Sequence, residues 1–121
     1  MLIRVFTTDD NAETSLAAEM EVDAAGLMDM AQPRQAQARD MGQEWTAGAI
    51  PFFVQELVNA LQTGQSEDEI ETHALNAAMT AWLYDSLYDG VSAEVFAGCD
   101  LVFTLSPGGV VQYDRSPSSA S

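Results

Sequence analysis

The sequence contains no lysine. Its positive charge rests on four arginines, Arg4, Arg34, Arg39 and Arg115, set against 19 aspartates and glutamates, for a formal net charge of -15. A chain so poor in cations has no footprint for a phosphate backbone or an anionic bilayer surface, so neither direct nucleic-acid binding nor membrane docking is expected. Anionic cofactors are disfavoured by the same charge, and no cofactor is expected. One cysteine, Cys99, and one histidine, His73, are present. They exclude an internal disulfide framework and the common four-ligand Cys/His zinc sites. No stretch approaches the roughly 18 to 20 apolar residues of a membrane span. The segment Met1-Leu2-Ile3-Arg4-Val5-Phe6 runs into Thr7-Thr8-Asp9-Asp10 before the apolar core of a secretory signal is complete. A cytoplasmic protein is the expectation.

What is present is enough for one core: 121 residues, of which 47% are hydrophobic. Leu2 to Thr7 is rich in β-branched and aromatic types and is followed by the turn-prone Thr8-Asp9-Asp10-Asn11. From Ser15 to Asp23, Leu16, Ala18, Met20 and Val22 alternate with more polar neighbours, a period of two. These features predict an antiparallel hairpin with strands near 2–7 and 15–22. One helix from Asp10 to Ala31 is the competing reading, since Ala, Glu and Met are good helix formers.

Asp23 is placed to cap a short helix over 24–31, and Pro33 to open another through Met41. Ile50, Phe53, Val54, Leu57, Val58 and Leu61 form an amphipathic stripe, with Pro51 in the first turn and Gly64 at the end. Ser66 and Glu69 have capping-box spacing and open a long helix ending near Asp89-Gly90, whose stretch Ala74 to Leu83 is apolar but for Asn76 and Thr80. Leu101 to Leu105, Ser106-Pro107-Gly108-Gly109 and Val110 to Asp114 read as strand, turn and strand. The expected architecture is α+β, an antiparallel sheet of about four strands, from N-terminal and C-terminal hairpins, packed against two or three helices. It forms a single domain over 1–115, and the segment from Arg115 onward lacks apolar groups, so 116–121 reads as a disordered tail.

Catalytic constellations are incomplete. Cys99 and His73 have no spacing that makes them nucleophile and base, and His73 has Glu69 at i−4 as a surface partner. The loop Asp9-Asp10-Asn11-Ala12-Glu13 offers oxygen donors but lacks the glycine and terminal glutamate of an EF-hand, so no metal is expected. Gly108-Gly109 leads into a strand, not a helix, and is a turn rather than a phosphate cradle. Trp45, Phe52, Phe53, Trp82, Tyr84 and Tyr88 have no basic residues around them to make a base-stacking groove, and most read as core. A protein that is not an enzyme is expected.

The carboxylates remain. Glu19, Glu21 and Asp23 would share one face of a strand at intervals of about 6.8 Å. Glu67, Asp68, Glu69 and Glu71 occupy the first turns of the long helix, where its dipole favours them. Asp85 and Asp89, at i, i+4 near that helix's C-terminal end, would repel each other and the dipole, with Tyr84 and Tyr88 beside them. Glu19, Glu21, Asp23, Glu67, Asp68, Glu71, Tyr84, Asp85, Tyr88 and Asp89 are therefore the candidate partner-binding residues.

A charge of -15 exceeds the magnitude of about 2 to 8 that keeps a small domain soluble. Rows of carboxylates about 6.8 Å apart fall at twice the 3.4 Å step of phosphates along a DNA strand. The expected partner is thus a basic nucleic-acid-binding protein or complex, occupied by a small acidic inhibitor that mimics nucleic acid. By analogy of type, such inhibitors include phage or mobile-element anti-CRISPR and antirestriction proteins. An immunity protein or antitoxin neutralising a basic nuclease toxin is the alternative. An acidic structural domain from a halophilic or GC-rich organism is the second, and a homodimer is compatible with each.

Overall fold

A computed structural model describes residues 1–117. The chain begins with strands β1 (Leu2–Thr8) and β2 (Thr14–Glu21). Five helices follow: α1 (Ala24–Ala31), α2 (Gln35–Met41), α3 (Gln43–Gln62), α4 (Glu67–Tyr88) and α5 (Ala93–Ala97), with a 3-10 turn, Gln32–Arg34, between α1 and α2. Strands β3 (Cys99–Leu105) and β4 (Val111–Pro117) complete the fold. The fold is α+β, with N- and C-terminal hairpins in one sheet of order β2-β1-β3-β4.

The N-terminal hairpin forms where period-two alternation predicted it, and the helix alternative for Asp10 to Ala31 is not adopted. Its turn is built by Asp9, whose carboxylate accepts from the backbone N–H groups of Asn11 and Glu13, both at 2.9 Å. The oxygen-rich loop thus satisfies its own backbone. A bulge interrupts the hairpin: Val5 faces Ala18 but Phe6 faces Leu16, so Ala17 is the extra residue. Side chains alternate strictly along a strand, so the insertion moves Leu16 off the apolar row of Ala18, Met20 and Val22. Leu16 joins Phe6 on the open face of the sheet and is 52% exposed.

The sheet is mostly antiparallel, but its central pair is not. β1 and β3 run parallel, from Ile3 beside Leu101 to Thr7 beside Leu105. Each hairpin fixes its own antiparallel pairing through a short turn. The relation between hairpins is set instead by the long helical crossover from Ala24 to Ala97, and alternation within strands carries no trace of it.

All helices lie over one face of this sheet. Ile3 and Val5 of β1, with Leu101 and Phe103 of β3, are fully buried beneath Val54 and Leu57 of α3. α4 is the buried spine expected from its composition, every residue from Ala77 to Leu83 being buried. Alanines at 74, 77, 78 and 81 let the neighbouring helices approach closely. Thr80 satisfies its buried hydroxyl by donating to the Asn76 carbonyl at 2.8 Å. Two expected caps are formed: Asp23 accepts from Ala25 N–H at 3.1 Å, and Ser66 from Glu69 N–H at 3.3 Å.

Two boundaries differ from expectation. α3 begins at Gln43, so Pro51 lies in its interior and withholds the N–H that the Ala47 carbonyl would otherwise receive, at a residue on the exposed side of the helix. The C-terminal residues Arg115, Ser116 and Pro117 are part of β4 rather than a disordered tail, paired with Leu101, Asp100 and Cys99. The rest of the expected tail, 118–121, lies outside the described residues.

Candidate acidic interface

The strand that carries Glu19 and Glu21 and the helix turns that carry Glu67 and Glu71 are neighbours in space. Edge strand β2 runs alongside the first turns of α4, leaving a cleft of about 370 Å³ between them. Glu67 and Glu71 border it from the helix, while Glu19 and Glu21 border it as residues of the edge strand, their side chains alternating to the open face of the sheet beside Arg4 and Leu2. Its apolar wall is Ala18, Met20, Leu61 and Ile70. Glu67 and Glu71 share one helix face by their i, i+4 spacing, and the α4 dipole offsets their mutual repulsion. Glu19 is partly neutralised, since one oxygen accepts from Arg4 Nε at 2.9 Å across the hairpin. Both side chains are 46% exposed, so this pair is a surface contact worth at most about 1 kcal/mol. β2 is an outer strand of the sheet, so the cleft also borders backbone groups with no strand beyond them.

The other candidate residues do not join this cleft. Asp23 lies beyond the end of β2, and its carboxylate is engaged as the α1 cap. The expected row of three is therefore a row of two. Asp68 is exposed in the first turn of α4 but does not line the cleft. Tyr84, Asp85, Tyr88 and Asp89 sit at the far end of α4, about 25 Å away along a helix rising 1.5 Å per residue.

Asp85 differs from its sequence-based reading altogether. It is 3% exposed, accepts from the Tyr113 hydroxyl at 2.7 Å, and forms an ion pair with Arg115. Asp85 turns inward while Asp89 is exposed, so they do not form the repulsive surface pair expected of i, i+4 aspartates. Arg115 could not be foreseen as the partner because it reads locally as the start of a polar tail. Burial pushes the Tyr113 phenol well above its ordinary range, helped by the hydrogen bond to Asp85, and holds it protonated as a donor. Tyr84 and Tyr88 stack obliquely, with centroids 5.3 Å apart, and Tyr84 accepts from Gln43 Nε2 at 3.3 Å. The Tyr88 hydroxyl is buried. Only Asp89 of this group is fully open to solvent.

Cys99 is buried at the start of β3, its thiol donating to the Val95 carbonyl at 3.1 Å. His73 is half-buried on α4, and the expected ion pair with Glu69 is not formed: among the described residues the ion pairs are Arg4–Glu19 and Arg115–Asp85. No group of three or more His, Cys, Asp and Glu side chains able to hold a metal occurs among the described residues. No helix among them is long and apolar enough to cross a membrane.

The aromatic residues divide in a way composition did not indicate. Trp82 is core, whereas Trp45 is 47% and Phe52 56% exposed on α3. The signal was positional: both lie off the Ile50, Val54, Leu57 stripe that is buried.

Compared with family models, curated proteins and solved structures, the chain matches none.

Proposed function

We propose that this chain is a non-enzymatic acidic inhibitor that binds the basic nucleic-acid-binding surface of a protein or complex, presenting carboxylates where phosphates would lie. The observation that carries this reading is the β2–α4 border, where Glu19 and Glu21 of the edge strand and Glu67 and Glu71 of the helix are brought to one side of the molecule from segments far apart in sequence. Carboxylates about 6.8 Å apart along the edge strand, with those of the helix beside it, offer guanidinium and ammonium groups several acceptors at once. The apolar wall accommodates the methylene stems of those same side chains. The overall charge of -15 steers a basic partner toward the protein from a distance. An anti-defence role, of the antirestriction or anti-CRISPR type, fits this chemistry because it requires only that a phosphate-binding channel be filled.

The test begins with capture of partners from lysate at low salt and elution in a salt gradient. The captured complex is then challenged with duplex DNA or guide RNA. Competition between nucleic acid and this protein, with salt-sensitive release, is the expected result. A complex that binds its nucleic acid unchanged in the presence of saturating protein excludes the mimic reading.

A further inference from the structure

We infer that β2 is a docking edge to which the basic partner adds an extended strand carrying arginine or lysine at every second position, an inference that rests on the acidic-inhibitor reading and names the form of the segment bound. Part of the β2 backbone is unpaired. Val22 N–H donates to the Met1 carbonyl at 2.9 Å, and the Met1 nitrogen donates to the Val22 carbonyl at 3.1 Å. Antiparallel pairs alternate between those that exchange such bonds and those that do not. The register sets Leu2 beside Glu21, Ile3 beside Met20, Arg4 beside Glu19 and Val5 beside Ala18, so Met20 and Ala18 bond to β1. The N–H and C=O groups of Glu19 and Glu21 point away from it. Leu2 N–H likewise points to the far side of β1, donating to the Asp100 carboxylate at 3.0 Å. Because β2 is an outer strand, the outward groups of Glu19 and Glu21 have no strand beyond them.

The two faces of this edge select different side chains. An added strand lies about 4.8 Å beyond β2 and alternates as β2 does, so one of its rows stands against Glu19 and Glu21 on the open face of the sheet. Those glutamates are exposed and about 6.8 Å apart, the interval at which residues on one face of the added strand recur. Opposite charges directly across a ladder attract, which calls for cations in that row. The other row stands against Ala18 and Met20, both only half-buried, over the cleft of about 370 Å³ that Leu61 and Ile70 line from the helices. Apolar side chains suit that row. Glu67 and Glu71, on the helix border of the cleft, add acceptors for cations reaching across it.

The same glutamates decide which strand is accepted. Two copies of β2 paired through this stretch would bring Glu19 and Glu21 of one against those of the other, and the bulge at Ala17 interrupts the edge beyond Ala18. A strand with cations at those positions meets attraction where a second copy meets repulsion. Arg4 already engages one oxygen of Glu19, whereas Glu21 has no ion-pair partner among the described residues. Glu21 is the free counter-charge of the edge.

Strand addition of this kind draws affinity from main-chain hydrogen bonds and specificity from alternate side chains. The regular edge from Ala18 to Glu21 is short, so the added strand gains few backbone bonds. Charge and the apolar cleft supply the rest, and the complex is therefore sensitive to salt.

Calorimetric titration of the full chain with a short synthetic peptide alternating arginine and valine tests the inference. Two further forms of this peptide, one N-methylated on its arginines and one on its valines, carry the same charge. Methylated arginines block an antiparallel added strand and methylated valines a parallel one, because the N–H groups that face β2 differ between the two. The parent peptide is expected to bind at low salt, one methylated form to bind about tenfold more weakly or worse, and the other to bind as the parent does. Exchange of the Glu19 and Glu21 amide protons is expected to slow in the complex. Glu21→Pro removes one outward N–H at a place where an outer strand admits proline, and Glu21→Thr removes the same charge but keeps the N–H. Glu21→Pro is expected to bind the peptide about tenfold more weakly than Glu21→Thr. Equal affinity of the two methylated forms overturns the added strand, as does a parent peptide that does not bind. Either result leaves the inhibitor reading standing, since that reading fails separately, on a partner that keeps its nucleic acid at saturating protein.

Discussion

The hydroxyl of Tyr113 on β4 donates to the carboxylate of Asp85 on α4 at 2.7 Å, while Arg115, two residues further along the same strand, pairs with the other carboxylate oxygen. The spacing of two places both donors on the helix-facing side of β4, so one buried acid ties the last strand to the central helix. An acidic surface with few cations thus commits one of its arginines to a partly buried contact with an interior acid.

Removing that anchor should cost the fold dearly. Arg115→Ala leaves Asp85 buried without its counter-charge, a change that typically costs about 3–5 kcal/mol. Asp85→Asn retains a hydrogen-bond acceptor for Tyr113 and should cost less than Arg115→Ala. Urea unfolding monitored by circular dichroism ranks the two, and equal stability of wild type and Arg115→Ala would contradict the burial of this pair.

Alkaline pH should act through the same contact. The folded state holds Tyr113 protonated beyond the ordinary tyrosine range, whereas the unfolded chain releases that proton near pH 10. Because the unfolded state then binds fewer protons, stability is fully present below about pH 10 and falls as pH rises above it. Tyr113→Phe should flatten this decline. Thermal melts between pH 8 and 11 compare the slopes, and parallel slopes would remove Tyr113 as the cause.

Charge reversal separates the two acidic regions. Glu19→Lys, Glu21→Lys and Glu67→Lys together should slow association with a basic partner by an order of magnitude or more and reduce its salt dependence. Asp89→Lys, Glu94→Lys and Asp114→Lys together, an equal change of charge on exposed residues away from the cleft, should have a far smaller effect. Stopped-flow association rates at two salt concentrations decide this; equal slowing by both sets would assign the attraction to net charge alone.

The excess charge should also be visible in the isolated protein. If repulsion among carboxylates is the main destabilising force, the melting temperature rises with salt mainly up to about 0.15 to 1 M, by which point screening lengths have shrunk to a few ångströms. A melting temperature that keeps climbing steeply at higher molar salt would instead identify halophilic solvation as the role of the acidic surface.

Elements governed by local rules could be read from the sequence. Both hairpins, the caps at Asp23 and Ser66, and the buried run of α4 each follow from residues within one or two turns of each other. What escaped was decided by partners distant in the chain. Asp85 appears destabilising beside Asp89 until Arg115 arrives from β4. Leu16 fits the alternating row until Ala17 is bulged out by its pairing with β1. Glu19, Glu21, Glu67 and Glu71 were legible as two acidic groups, but that β2 and the start of α4 border one cleft depends on how α4 packs beside the sheet.

The parallel pairing of β1 and β3 has a consequence for synthesis. The backbone N–H of Leu2 donates to the carboxylate of Asp100, 98 residues later. At ribosomal rates of about 5–20 residues per second, β1 waits on the order of 5 to 20 s for the strand that completes its pairing. A two-stranded hairpin is only marginally stable alone, so during that interval β1 is an incomplete sheet with an unguarded inner side. Glutamates at 19 and 21 and the bulge at Ala17 lie on the strand that protects its other side, features that discourage growing chains from adding to one another edge to edge. The nascent hairpin is thus shielded on one flank by its own charge until the C-terminal strands emerge to close the other.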